Sequence, residues 1–336
     1  MILVSGASGF IGSAITRHLL SAGLEVRAMG RSIDRARSVL GSFPEARRAL
    51  GEKRLTFVSA DVTQPHTLPA AVRGVEVVVQ AAQFPNAPVE NPARGWTYMK
   101  VDRDGTINLL GALAQVYRAQ TAGPSMARFP EGAPRFLYVS GVTVSEAAVT
   151  TWDRAKWQAE EAIRSSGLDW TIVRNSPTVG PRDVSFNRII GYSAFLPFVP
   201  IFGNGEERLT PVYIEDVGRF FVRLVQEPQQ ARDTTFPLGG PDTVTTNQLL
   251  RLYLQLLGRR RPILHIPKPV GMIAGGVAQL APVERKPLSA AAVEFSSKGG
   301  TADLALLHER FPDFELTPLR EALMSYLGDA GGVARP

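Results

Sequence analysis

The chain opens on a short apolar stretch, Ile2-Leu3-Val4, that runs into Ser5-Gly6-Ala7-Ser8-Gly9-Phe10-Ile11-Gly12. It continues into Ser13 to Ala22, where Ile15, Leu19 and Leu20 share one helical face. A strand turning this abruptly into a helix needs glycine. Gly6 allows the tight turn, Gly9 lets a backbone approach a pyrophosphate, and Gly12 permits close packing of helix on strand. The helix N-terminus supplies open amides and a partial positive charge for phosphates. Glycines are common in turns, so the trio alone says little. Its setting between a strand and an amphipathic helix points to a dinucleotide-binding turn made of Gly6, Ser8, Gly9, Phe10, Ile11 and Gly12.

The rest of the first half repeats the alternation of β-rich and helix-patterned segments. Further strands are expected at Glu25 to Met29, Leu55 to Ser59, Val75 to Gln80, Arg135 to Ser140 and Asp169 to Arg174, with helices over Thr106 to Tyr117 and Ala155 to Ser165. Six strands with right-handed helical crossovers make an α/β fold, a doubly wound parallel Rossmann sheet. After Arg174 the texture changes, with Pro177, Pro181, Pro197 and Pro200 breaking up apolar stretches. The expected organisation is therefore a Rossmann domain over 1–175 and a smaller, partly helical subdomain over 176–330. Within the latter, about 211–240 returns to the core through a helix at Tyr213 to Val225 and a strand at Phe236 to Leu238.

The end of the second strand discriminates between the nicotinamide cofactors, because a carboxylate there would bond a ribose 2′-hydroxyl and repel a 2′-phosphate. Here it reads Met29-Gly30-Arg31-Ser32. Arg31 offers a permanently charged fork to a phosphate, Ser32 a hydroxyl, and Arg35 and Arg37 further charge, so NADP(H) is the expected cofactor. Asp61 and Val62 after the third strand have the position to reach an adenine. Ala81, Ala82 and Gln83 after the fourth leave room for the cofactor backbone.

Bulk properties limit the alternatives. There is no cysteine, and the four histidines lack metal-ligand spacing, so neither a thiolate nor a metal site is expected. With a first strand expected from Ile2, no secretory leader is expected, and no stretch offers the roughly 20 apolar residues of a membrane span. The expectation is a cytoplasmic protein, with contact to the inner face of a membrane as a further reading. That reading rests on the apolar stretch Val270 to Leu280 beside the basic Arg259 to Lys268. The net charge of +6 permits an anionic partner, but the one dense basic cluster, Arg259-Arg260-Arg261, lacks interleaved aromatics, and no nucleic acid is expected.

Taken together, GASGFIG, Asp61-Val62, Ala81-Ala82, Tyr138-Val139-Ser140 and Lys156 resemble the extended and atypical short-chain dehydrogenase/reductase superfamily, which includes NAD(P)-dependent epimerases and dehydratases. Ser166 to Arg174, Val179-Gly180-Pro181, Phe202 to Gly205, Pro211 to Val217 and Leu238 to Pro241 are most similar to the family of the NADPH-binding accessory subunit of respiratory complex I and its bacterial homologues. The resemblance covers nearly the whole chain. It adds Val139, Ser140, Lys156, Asn175 and Pro177 to the expected cofactor contacts. It also implies a catalytic serine or threonine after the fifth strand, and a tyrosine four residues before a lysine that lowers the phenol's pKa.

In this chain the matching stretch is Trp152-Asp153-Arg154-Ala155-Lys156, so tryptophan stands where the tyrosine is expected, and Gly141 aligns with the serine. An indole N–H donates a hydrogen bond but has no accessible ionisation. Ser140, Thr143 and Lys156 remain as the catalytic candidates, and Tyr98, Lys100, Tyr213, Glu215 and Asp216 read as structural first. Three functional readings follow. The chain binds NADP(H) as a structural or sensory cofactor; or it is an NADP-dependent oxidoreductase or epimerase acting on an apolar carbonyl or quinone-like ligand, with Tyr192 to Pro200 as pocket or lid; or it is an accessory or assembly subunit of a respiratory complex.

Overall fold

The computed structural model describes residues 1–84, 89–117, 129, 132–279, 293–294 and 298–327. Its centre is a seven-stranded sheet whose neighbours all run parallel. Six strands are β1 (Ile2–Ser5), β2 (Val26–Gly30), β3 (Leu55–Ser59), β4 (Val77–Gln80), β5 (Arg135–Gly141) and β6 (Trp170–Asn175). The short pieces β7 (Thr178–Val179), β8 (Val199–Phe202), β9 (Arg208–Leu209) and β10 (Val212–Tyr213) follow, before β11 (Thr234–Leu238) adds itself to the sheet beside β6. The order is β11-β6-β5-β4-β1-β2-β3, with the chain's direction of travel reversing between β1 and β4. The doubly wound parallel sheet read from the sequence is the fold observed, and the reversal opens the crevice where such sheets bind ligands.

Helices α1 (Phe10–Ser21), α2 (Ile33–Gly41), α3 (Pro44–Gly51), α4 (Leu68–Val72), α5 (Gly105–Tyr117) and α6 (Thr151–Arg164) connect the strands. The two-residue period of β1 decides which side each residue serves. Ile2 and Val4 face a core shared with Ile15, Leu19, Phe220, Phe221 and Phe236, whereas Leu3 faces Val78, Leu109, Leu113, Phe136 and Ile172. The first of these cores is closed by α8 (Ile214–Gln226), where Phe220 meets Phe236, Phe311 and Phe314 edge to face at centroid distances of 5.5, 5.4 and 5.3 Å.

A third core lies outside the sheet. It joins Val179, Ile190, Val199 and Ile201 to Leu249, Leu250, Tyr253, Leu323 and Tyr326, with the two tyrosine hydroxyls 2.7 Å apart. Its helices are α7 (Phe186–Gly191), α10 (Thr246–Leu256) and Leu319–Leu327. The turn α9 (Pro228–Ala231) leads into β11, while β12 (Val244–Thr245) pairs with β9 and β13 (Ile263–Ile266) with β8. Beyond β13 comes α11 (Lys268–Gln279); residue 280, the last of the expected apolar stretch, lies outside the described residues.

The helix α7 starts on a buried carboxylate. Asp183 accepts from the amides of Ser185 (2.7 Å), Phe186 (2.9 Å) and Asn187 (3.3 Å), yet burial outweighs these donors and pushes its carboxyl up to about 6. The native state therefore holds this proton more tightly than the unfolded chain. Stability from this group is present below pH 4 and is lost as pH rises to about 6, by about 2–3 kcal/mol. Asp183→Asn keeps an acceptor for the cap and removes the titration. Urea unfolding of the two proteins at a series of pH values should show the wild type losing stability relative to the variant between pH 4 and 6, then a constant difference above.

Candidate functional site

The glycine turn is packed against itself and against the end of β4. Gly6 has φ +64°, and a Cβ there would stand 2.8 Å from Cα of Ala82; one on Gly12 would stand 2.3 Å from the Gly6 carbonyl oxygen. The Gly9 amide closes the turn on the Gly6 carbonyl at 2.8 Å, and α1 begins without a side-chain cap on its first amides. Ala81 and Ala82 are held in place by Ser5, a residue the sequence reading did not single out. Its buried hydroxyl accepts from both their amides (3.0 and 3.1 Å) and donates to Gln80, whose Nε2 donates to Thr106 at 3.3 Å. The signal for this network was two polar residues at the ends of otherwise apolar strands.

A second residue missed in the sequence, Arg182, reaches the turn from between β7 and α7. Its Nη1 donates to Ser13 Oγ at 2.9 Å and its Nη2 to the Ser8 carbonyl at 3.1 Å. Burial, and then the neighbouring charges of Arg35 and Arg17, hold this guanidinium below the usual arginine pKa. Arg17 is compensated by Glu45 and Glu215. Among the described residues no carboxylate pairs with Arg182, Arg31 or Arg35, and the last two are exposed past the end of β2. Ser32 caps α2 by accepting from the Arg35 amide at 3.2 Å. The site is thus electropositive where phosphates would sit, through uncompensated guanidinium groups and the first turn of α1.

Asp61 lies beyond β3 with Oδ1 accepting from the amide and hydroxyl of Thr63, both at 2.8 Å. Val62 is buried under α5, where Gly105 leaves it room: a Cβ there would stand 2.7 Å from Cγ2 of Val62. Before α5, a π-helical turn over Met99–Asp104 turns Asp102 inward.

At the other end of the crevice Lys156 is fully buried. Its ammonium lies 3.1 Å from Asp102 Oδ1, donates to the Val139 carbonyl at 3.0 Å and stands 4.8 Å from the Tyr138 ring centre. Asp102 also takes the Phe84 amide at 2.9 Å; burial raises its carboxyl while Lys156 opposes the rise. Ser140 donates to buried Glu160 at 2.6 Å, and Glu160 binds Arg174 and Arg164 in turn. Tyr98 stacks edge-on against Phe84 at 4.9 Å, and burial pushes its phenol far above the ordinary value, so it is a poor source of a proton. Tyr213 bonds Ser325, Glu215 binds Arg17 and His18, and Asp216 takes the amide and hydroxyl of Thr317. These three join elements together away from the glycine turn.

Trp152 and Gly141 interlock. A Cβ on Gly141 would lie 2.4 Å from Cη2 of the indole and 3.3 Å from Cζ2 and Cζ3. The ring fills the space a side chain at 141 would need. Beside it, Thr143 donates to buried Asp153 at 2.7 Å; Thr150 and Lys298 both bond the other carboxylate oxygen, and Lys298 comes from the segment that crosses the ends of β5 and β6. Gly300 in that segment approaches Pro177 so closely that a Cβ would stand 2.9 Å from its ring. Next to Gly141, at the end of β6, Asn175 is buried with both carboxamide atoms lacking a hydrogen-bond partner among the described residues. Buried amides are normally satisfied, so this one is available to a ligand. A hollow of about 440 Å³ lined by His18, Arg219, Arg223, Asp313 and Phe314 lies at the far end of α1 and takes no part in this site.

The model of the NAD dependent epimerase/dehydratase family matches residues 2–239. The chain is 28% identical over 139 residues to the Arabidopsis thaliana mitochondrial protein named NADH dehydrogenase [ubiquinone] 1 alpha subcomplex subunit 9. That match covers 41% of this chain and only about a third, 35%, of the plant protein. It is 21% identical over 277 residues to a ceramide reductase of Caulobacter vibrioides, covering 82% of this chain and 77% of that one. In fold it is similar to a UDP-glucuronic acid 4-epimerase from Bacillus cereus, solved with UDP-glucuronic acid and NAD, with TM-score 0.66, 17% identity and 96% of each chain covered.

The Trp152–Gly141 contact makes a coupled pair of substitutions informative. Gly141→Ser should destabilise the protein by about 1–3 kcal/mol, the usual range for overpacking a close-packed site. Combined with Trp152→Tyr, which removes the clashing end of the ring, the same serine should cost under about 1 kcal/mol. Thermal and urea melts of the four proteins in the cycle measure the coupling. Additive losses would show that the indole does not set the size of residue 141.

Proposed function

The chain belongs to the NAD dependent epimerase/dehydratase family, and on that premise we propose that it binds NADP(H) as a structural or sensory cofactor, without tyrosine-dependent carbonyl reduction. The observation that carries this reading is the indole of Trp152 packed on Gly141. The two positions at which the resemblance expects a hydroxyl pair hold instead a large ring and the residue small enough to accept it. Neither can donate or take up a proton at neutral pH.

The residues present fit a dinucleotide. The glycine cradle has no room for a Cβ, and a phosphate there would neutralise Arg182 and meet the first amides of α1. Arg31 and Arg35, exposed and with no carboxylate partner among the described residues, support a 2′-phosphate beyond β2, and Asp61 and Val62 beyond β3 are the candidates for meeting the adenine. Ser32 can add its hydroxyl while capping α2. At the nicotinamide side, Asn175 offers an unsatisfied carboxamide, with Pro177 and the Val139 carbonyl nearby in sequence and sheet. When bound, the nicotinamide supplies the capacity for hydride chemistry. Lys156 would have to loosen its buried pair with Asp102 to reach a ribose, so its first role in this reading is to hold the π-helical turn onto α6.

One observation favours a second reading, an NADP-dependent oxidoreductase or epimerase on an apolar substrate. Thr143, Asp153, Thr150 and Lys298 form a hydrogen-bonded cluster one residue from Trp152, able to position a hydroxyl and relay a proton. The likeness to a ceramide reductase agrees with an apolar substrate. The likeness to a respiratory-complex subunit supports an accessory role and is tested by affinity capture from solubilised membranes.

Titration calorimetry tests the first reading. Wild type should bind NADPH at least about tenfold more tightly than NADH, and Arg31→Ala should narrow that ratio. Arg182→Met should weaken both cofactors about equally, by about tenfold, since it serves the pyrophosphate and not the 2′-phosphate. Equal affinity for the two cofactors in wild type would remove the Arg31 assignment. NADPH oxidation with long-chain ketones, abolished by Thr143→Val, would select the second reading over the first.

A further inference from the structure

The helix α11 (Lys268–Gln279) is apolar on the side turned away from the protein. Its inner side is made by Gly271 and Gly275, both buried; Gly271 lies so close to Phe202 that a Cβ would come within 2.5 Å of the ring. Its outer side carries Val270, Ile273, Ala274 and Val277, spaced as one continuous helical stripe. Val270 is 55%, Ile273 69% and Val277 63% exposed, with Met272 beside them at 40%. An ordinary surface helix shows the opposite arrangement, apolar residues in and polar residues out. Scattered exposed leucines and valines need no explanation, but a whole stripe of them does.

The charge along the segment that carries the stripe has one sign. From Arg259 to Gln279 there is no Asp or Glu, while Arg259, Arg260, Arg261 and Lys268 all lie within it. Arg260 and Arg261 are exposed where β13 begins. Arg259 and Arg261 brace Ser193, at 2.9 Å to its hydroxyl and 3.3 Å to its carbonyl, in the turn that presents Phe195 at 60% exposure. Lys268, at the start of α11, lies 3.6 Å from Glu207 and is half exposed. The strand β13 between these cations adds Leu264, 45% exposed.

We propose that α11 and the basic residues preceding it form a docking surface for an anionic lipid bilayer, with the helix lying in the plane of the headgroups. Its apolar stripe enters the acyl boundary and the arginines meet lipid phosphates. Twelve residues span about 18 Å, well short of the roughly 30 Å hydrocarbon core, and among the described residues no helix is long and apolar enough to cross a membrane. A second copy of the chain is a poorer occupant, because apposing two such surfaces brings like-charged arginines together. The surface lies in the C-terminal part, apart from the glycine turn, and does not depend on the cofactor reading.

Flotation of the full-length protein with vesicles tests this. Wild type should float with phosphatidylcholine vesicles containing phosphatidylglycerol and not with phosphatidylcholine alone, and added salt should weaken the binding. Ile273→Asp with Val277→Asp should weaken it at least about tenfold, and Arg260→Glu by about tenfold, with NADPH binding and the far-UV spectrum unchanged. These side chains are exposed, so the fold should tolerate the changes. Failure of wild type to bind anionic vesicles, or equal binding by the Ile273→Asp, Val277→Asp protein, overturns the proposal. So does a wild-type dimer in analytical ultracentrifugation that the same pair of substitutions dissolves, since the stripe would then be covered by a second copy.

Discussion

The close approach of α1 to the end of β1 is the constraint from which the site follows. With a Cβ on Gly12 only 2.3 Å from the Gly6 oxygen, nothing larger than glycine lets the helix begin where it does. That placement puts the first amides of α1 over the reversal point of the sheet, between β1 and β4. Ser5 then fixes the other wall, since one hydroxyl holds both Ala81 and Ala82 while bonding Gln80. Packing and hydrogen bonding here serve one end: a rigid, close-packed, positively biased turn at the crevice.

The two ends of the crevice obey different physics. At the phosphate end, charge is left uncompensated: Arg182 is partly desolvated among other arginines and finds only neutral oxygen partners. At the opposite end charge is matched and enclosed, Lys156 by Asp102 and Glu160 by Arg174 and Arg164. A buried pair of that kind holds elements in register, because removing one member strands the other without water. Ser140 and Lys156, which could have faced a substrate, are tied into these enclosed pairs. The asymmetry leaves charge free to meet an anion at one end and ties Ser140 and Lys156 into the framework at the other.

The sheet was legible because its signals are local: apolar strands of four to seven residues, helical periodicity between them, and glycines where a turn requires them. Phe236 lies in β11 beside β6, a pairing that no local signal marks. The glycine turn was legible for the same reason. What the sequence did not reveal are contacts between residues far apart along the chain. Ser5 and Gln80 are 75 positions apart, and Ser13 and Arg182 are 169 apart. No periodicity marks such partners. Gly141 beside Trp152 is an intermediate case: both were visible as departures from the resemblance, but only the fold shows that they touch.

The same long-range contacts indicate how a cofactor could matter without reacting. Helix α1 is gripped from the C-terminal half at three levels. Arg182 bonds Ser13 and the Ser8 carbonyl; Glu215 binds Arg17 and His18; and α8 presses on α1 where Gly218 admits the His18 ring, a Cβ there standing 2.2 Å from it. An anion at the glycine turn would relieve the repulsion around Arg182 and so strengthen the topmost of these grips. Binding energy at the turn then becomes stability of the contact between the sheet and the part of the chain that carries α7, α10 and α11. A dinucleotide held for that purpose, as proposed above, would need its phosphates recognised and its nicotinamide merely accommodated.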